Sequence, residues 1–199
     1  MKLNSLILPF LSVALVAPAF AGSPGKAPAP VQPAPESPLG FTATVGYDTD
    51  YVFRGVEFAK NLVSAQIDGN IALNKDLTFN LGAWYGASAD DKAALFAGGA
   101  SYGELDLYAA LLAKLGPVTA GVKYTWYNYL GHAGTFVDDI NEVGITLATS
   151  AAGLDFTSGA YYDWTAEGFY FEVGVSKTIA ITDKIGVTPG VIVSYADHY

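Results

Sequence analysis

The chain has no cysteine, one arginine and only two histidines in 199 residues. Without cysteine it can form neither a disulfide framework nor a thiolate metal site. Ten basic side chains face nineteen acidic ones, a net charge of −9. That balance argues against nucleic acid as a partner, because phosphate recognition needs a basic patch. Nothing after the first twenty or so residues is a long unbroken apolar run, so no helix is expected to span a membrane.

The apolar residues stand at the N-terminus and in alternation. Residues 1–21 read as an export signal: Lys2, an apolar stretch from Leu6 to Val16, and Ala19-Phe20-Ala21 as an A-x-A cleavage site. Pro9 and Pro18 interrupt the stretch and shorten it below a membrane-crossing helix. Residues 22–39 hold six of the ten prolines and almost no large apolar side chain, the composition of an extended polyproline-type periplasmic linker. Residues 40–199 form the remaining domain.

In that domain apolar and polar residues alternate at period two. Phe41, Ala43, Val45, Tyr47, Tyr51 and Phe53 share one parity; Thr42, Thr44, Gly46, Asp48 and Asp50 share the other. Successive side chains of a strand point to opposite faces, so one face suits hydrocarbon and the other water. The rhythm returns in segments beginning near Val63, Leu77, Leu105, Val118, Glu142, Leu154, Phe169 and Ile185. These predict about nine strands, each long enough to cross a bilayer when tilted. The fold class is therefore all-β: an antiparallel, up-and-down transmembrane β-barrel in the outer membrane, its N-terminus in the periplasm. Outer-membrane lipid and the barrel-assembly machinery are its expected partners.

Short connections are expected at Asn74–Asp76, Leu115–Pro117, Ser150–Gly153 and Thr182–Lys184. Longer outside loops are expected at Arg54–Asn61, Gly86–Glu104 and Asn128–Ile140, with a short one at Thr165–Gly168. Outward aromatics collect near the outer end of alternate strands: Tyr51 and Phe53, Tyr85, Tyr124 and Trp126, Tyr162 and Trp164, and Tyr195. This is the pattern of an interfacial girdle. Nine strands is odd and the chain closes on what reads as an upper strand end, so further C-terminal strands are expected in the complete protein. Pro189 fits the ninth strand only at an edge or bulge.

The inward parity carries Asp48, Asp50, Asp68, Asp106, Glu142, Asp155, Asp163 and Glu172 against Lys114 and Lys123. If these residues line a pore, it favours cations and small solutes. Arg54 joins them either as a charge at the pore mouth or as half of a structural ion pair. Within its own strand Asp50 is about 13 Å away, so any partner lies on another strand. Inward glycines (Gly46, Gly82, Gly121, Gly144, Gly159, Gly174, Gly186 and Gly190) either widen the interior or relieve strain where the sheet curls.

Signs of enzymatic chemistry are weak, and no catalytic residue, cofactor or metal is expected. Gly99-Ala100-Ser101-Tyr102-Gly103 matches G-x-S-x-G, but the nucleophile elbow needs a strand before its serine and a helix after it. His132 and His198 stand in a loop and at the chain end. Asp90-Asp91 and Asp138-Asp139 are loop pairs that either bridge hard cations or are solvated charge.

The segment DTDYVFRG, Asp48–Gly55, resembles the first strand of the TorF-type porins through Tyr51, Val52, Phe53, Arg54 and Gly55. The similarity extends more loosely through Leu77–Gly86 and Leu105–Gly116, the first half of the barrel. It implies an exported bacterial barrel with a channel role, longer than this chain, and transfers no substrate or catalytic residue. The expectation is a porin-like barrel passing or binding small solutes with mild cation preference. The alternatives are a closed structural or surface-interaction barrel, and a soluble lipocalin-like binder, which would need polar outward positions on most strands.

Overall fold

The computed structural model describes residues 8–16, 41–54, 56–89, 102–130, 139–182 and 186–198. The regular elements among them are strands: β1 (Leu8–Val16), β2 (Phe41–Phe53), β3 (Val56–Ala72), β4 (Leu77–Ser88), β5 (Gly103–Leu115), β6 (Val118–Leu130), β7 (Ile140–Ala151), β8 (Leu154–Asp163), β9 (Gly168–Ser176), β10 (Ile179–Ala180) and β11 (Gly186–Asp197). All lie in one antiparallel sheet, ordered β1-β11-β9-β8-β7-β6-β5-β4-β3-β2, with β10 beside β11. From β2 to β9 each strand pairs with its successor, an up-and-down meander. The alternating segments are β2 to β9 and β11.

The sheet is a half-barrel. From β2 to β9 is seven inter-strand steps, roughly 34 Å along the sheet. Yet the Arg54 guanidinium at the end of β2 lies 4.3 Å from the Tyr170 ring of β9. Only a strongly curled sheet brings those ends together. Among the described residues β1 and β2, the two edges, are not hydrogen-bonded to each other.

The apolar parity faces away from the concave side. Val45, Ile67, Val122, Ile145 and Val173 are 50–62% exposed, and every strand from β2 to β11 carries at least one large exposed apolar residue. Tyr85, Tyr124, Trp164 and Tyr195 are likewise exposed at the ends expected for them.

Tyr51 and Phe53 depart from this pattern. Both are buried on the concave side, because the β2–β3 ladder passes from Asp48↔Leu62 to Asp50↔Lys60 without a Thr49–Asn61 pair. Asn61 there adopts a left-handed φ of 49°. The alternation reverses across this break, so Tyr51 and Ala59 turn inward while Asp50 and Lys60 are left half-exposed, 3.7 Å apart. The expected long loop over Arg54–Asn61 is strand instead. β3 begins at Val56 and continues the hairpin past a register shift at Tyr51/Val52. Phe58, half-buried among the inward aromatics, gives the extension a reason to stay paired.

Three of the four short connections are as expected, at residues 73–76, Gly116-Pro117 and Ala152-Gly153; Asp183 and Lys184 of the fourth lie outside the described residues. Gly116, Ala152 and Gly153 take left-handed φ values of 64°, 54° and 74°, as two-residue hairpins with right-handed strand twist require. Pro189 sits where β11 changes partner, between the Gly186–Val187 pairing with β10 and the Gly190–Asp197 pairing with β9. Its carbonyl accepts from the Lys177 N–H at 3.0 Å. In an antiparallel strand the N–H and C=O of a residue point the same way, so the missing donor falls at this interruption.

On the other side of β11 lies Leu8–Val16, read from sequence as part of an export signal. A nine-residue apolar run suffices to pair with an unoccupied strand edge, whether or not it is later removed. Residues 17–40, including the proline-rich linker, lie outside the described residues.

The face assignment makes a direct prediction. Val122 stands between Leu111 and Ile145, both exposed and apolar. Val122→Arg should therefore cost about 2–4 kcal/mol in a folding titration into lipid vesicles, and Thr119→Arg on the concave face much less. Equal costs would reverse the faces.

Candidate functional site: the concave interior

The one arginine, at the tip of the β2–β3 hairpin, reaches across the concave face to β7. Arg54 follows β2 with a left-handed φ of 50°, a conformation that costs a non-glycine residue about 1–2 kcal/mol. Surrounding contacts hold it there. Nη1 and Nη2 donate to the two carboxylate oxygens of Glu142 on β7, the second bond at 3.0 Å. The side chains of this pair are 9% and 2% exposed. The guanidinium also lies 4.8, 4.7 and 4.3 Å from the ring centres of Phe53, Tyr161 and Tyr170. Tyr127 donates its hydroxyl to Glu142 Oε1 at 3.2 Å. A bidentate carboxylate and stacked rings are what a planar guanidinium suits and a lysine ammonium does not.

Two further networks flank this pair. Near the loop end, Tyr51 and Tyr102 both donate to Glu104 Oε2, the first at 3.1 Å. Around them Tyr51 stacks on Trp84 at 5.6 Å and Phe58 on Tyr129 at 6.2 Å. With Leu62, Phe53 and Tyr127 they form the buried core of the molecule. Towards the middle, Tyr108 donates to Asp68, while Gln66 Nε2 reaches Asp68 at 2.7 Å and the Tyr108 hydroxyl at 2.9 Å. Lys123 Nζ rests 4.6 Å above the Tyr108 ring. Tyr161 donates to Glu172 at 3.0 Å.

The expected pore-lining residues separate into groups. Arg54, Asp68, Lys123, Glu142 and Glu172 converge on the networks just described, and Asp106 is fully buried beside Glu104 on the same strand face. Asp48 is partly buried opposite Leu62. Asp50 is not inward, since the break at Thr49 and Asn61 leaves it half-exposed with Lys60. Lys114 is exposed at the turn end of β5. Asp155 accepts from Ser150 at 2.6 Å within the β7–β8 hairpin. Asp163 caps the β8–β9 turn, accepting from the backbone N–H groups of Thr165 and Ala166 at 2.6 and 3.2 Å.

Arg54 is thus half of a buried ion pair with Glu142. Glu104 and the inward tyrosines were missed in the sequence. Glu104 has the parity of Asp106, and Tyr127 and Tyr129 that of Lys123, so the same alternation could have found them.

Ser101, His132, Asp90, Asp91 and Asp138 lie outside the described residues. Gly103 opens strand β5, so the G-x-S-x-G run does not lead into the helix that a nucleophile elbow needs. Asp139 accepts from Asn128 at 2.7 Å, and His198 lies exposed beside Asp197. Among the described residues no group of three or more His, Asp or Glu side chains is placed to hold a metal ion.

A family model described as "bacterial protein of unknown function (Gcw_chp)" matches residues 32–189, from within the linker to β11. The chain belongs to the Gcw_chp family. No curated protein matches it. The matched region contains every residue of the interior networks.

Inward glycines give this Gcw_chp interior its shape by a route that the sequence reading did not foresee. Gly82 faces Tyr108 and Gly144 faces Tyr161 directly across the ladder. A Cβ on Gly82 would stand 2.5 Å from the Tyr108 ring; on Gly144 or Gly159 it would stand 2.3 or 2.4 Å from Tyr161. These glycines are floors on which tyrosine rings lie, as in aromatic covering of strand glycines. They fill the interior instead of widening it.

Gly144→Ala should therefore push Tyr161 off the Arg54 guanidinium and destabilise the protein by about 1–3 kcal/mol. Gly103→Ala, whose Cβ meets nothing closer than 3.4 Å, should cost less in the same urea titration of the folded, fast-migrating gel band.

Proposed function

We propose that the protein is an outer-membrane β-barrel, exported by the signal over residues 1–21, through which small solutes pass or in which they bind, with a mild preference for cations. The observation that carries this reading is the two-faced sheet. Large apolar side chains stand exposed on every strand from β2 to β11, while Arg54, Asp68, Lys123, Glu142 and Glu172 lie on the other side. A water-soluble monomer rarely exposes so continuous an apolar surface, and a lipocalin-like binder would have the faces reversed. In lipid the same surface is buried, and the antiparallel ladder satisfies the backbone groups of every strand between the two edges internally. The likeness of Tyr51–Gly55 to the TorF-type porins supports the channel reading, and the excess of interior carboxylates supports its sign.

A second reading is a closed barrel with a structural or surface-interaction role. The packing of Tyr51, Tyr102, Tyr127 and Tyr129, each at most 7% exposed, favours it. Small barrels commonly fill with side chains.

Conductance separates the two. In planar bilayers the folded full chain should pass ions, with reversal potentials in a salt gradient favouring cations. Asp48→Asn with Asp68→Asn should shift selectivity towards anions. The shift should shrink near 1 M salt, where the Debye length is about 3 Å. Silence from well-folded protein would leave the closed barrel; anion preference would overturn only the charge assignment.

A further inference from the structure

Two cations, Arg54 and Lys123, and two carboxylates, Glu142 and Glu172, lie together on the concave face, with Asp163 opposite Glu142 on the ladder and Asp68 near Lys123. Glu142 holds Arg54, but a second cation lies diagonal to it. Lys123 pairs across the β6–β7 ladder with Gly144, two residues from Glu142 on the same face. Diagonal side chains of an antiparallel pair are within reach of long residues. Arg54 likewise has a second carboxylate. Glu172 is bonded to the Tyr161 hydroxyl, and the Tyr161 ring lies against the guanidinium. Lys123 and Glu172 both feel the charges of Arg54 and Glu142.

Two arrangements are therefore open to the same four groups. In the observed one, Arg54 is bound to Glu142, and Lys123 lies over Tyr108. In the exchanged one, Lys123 takes Glu142 and Arg54 swings to Glu172. In the observed state the Tyr108 ring and the Tyr161 hydroxyl stand in for the counterions of Lys123 and Glu172, and in the exchanged one each charge has a counterion, which is what allows such a network to have two states.

In the observed state Arg54 spans the interior. Arg54 comes from the first hairpin and reaches Glu142 on β7, between rings of β8 and β9. It thereby carries a bar of charge and aromatic side chains across the hollow of the sheet. Its left-handed backbone is strain of the kind that the surroundings must hold in place, and such strain gathers at switching sites.

We infer that Arg54 and Glu142 form the gate of the lumen, closed as observed and opened when Glu142 exchanges Arg54 for Lys123. The inference rests on the porin reading, since a gate needs a path to close.

The test is single-channel recording on the full chain, each variant first checked for the heat-modifiable gel mobility of a folded barrel. Arg54→Ala should raise the open fraction by about tenfold or more, since it removes the closed-state contact and leaves Glu142 to Lys123, whereas Glu142→Gln removes a contact of both states and should raise it less. The charge swap Arg54→Glu with Glu142→Arg should restore closure towards the starting protein. Lys123→Met should lower the open fraction, because it removes the cation that receives Glu142; a plug without an exchange partner would not respond in that direction.

Wild-type conductance that is unchanged in Arg54→Ala would overturn the gate and leave the porin reading standing. Increased opening in Lys123→Met would overturn the exchange. Silence from the folded wild type and all folded variants would overturn both the gate and the porin reading.

Discussion

The contact between Arg54 and Glu142 joins residues 88 positions apart in sequence and ties the first hairpin of the sheet to its seventh strand. A ladder fixes only neighbouring strands. How tightly the whole sheet curls is left to contacts made across its hollow, and this guanidinium makes several of them at once. The nearby rings follow from it: Phe53, Tyr161 and Tyr170 form the aromatic sleeve in which a charge can sit out of water at tolerable cost. Removing either partner alone would leave a charge buried without its counterion, a loss of about 3–5 kcal/mol in comparable pairs.

The interior is built on one repeated economy of space. Glycine on one strand makes room for tyrosine on the next, and each tyrosine hydroxyl then reaches a carboxylate: Tyr108 to Asp68, Tyr161 to Glu172. Acidic side chains that would repel one another in an open lumen are held apart by rings and hydroxyl donors. The acidic parity is therefore as much a hydrogen-bonding scheme as an electrostatic one.

Most of the strand layout was legible in the residues. Period two, uninterrupted for nine to thirteen positions, has no other structural meaning in segments such as Val118–Leu130. The reading failed where the period itself fails. At Thr49 and Asn61 the ladder breaks on both strands together, and a strict count carries Tyr51 and Phe53 to the wrong face and turns Val56–Asn61 into a loop. Parity also shows which residues face inward but not which of them meet. The choice of Glu142 by Arg54 depends on the curl of the whole sheet, and no spacing along the chain encodes it. Asp163 is inward as its parity requires, and its neighbours Thr165 and Ala166 also place two N–H donors over it, a local turn role that parity does not show.

The meander has a consequence for direction. Each step from β2 to β9 reverses the chain, and β11 reverses it once more, so the first and last members of the nine-strand set run the same way. Joined to each other, they would form a parallel seam, with slanted and evenly spaced bonds unlike those of the other ladders. A strand inserted between them, lying against β11 as Leu8–Val16 does, would run opposite to both and keep every junction antiparallel. The handing-over of chain direction, more than the number of residues, decides what kind of strand the two free edges can accept.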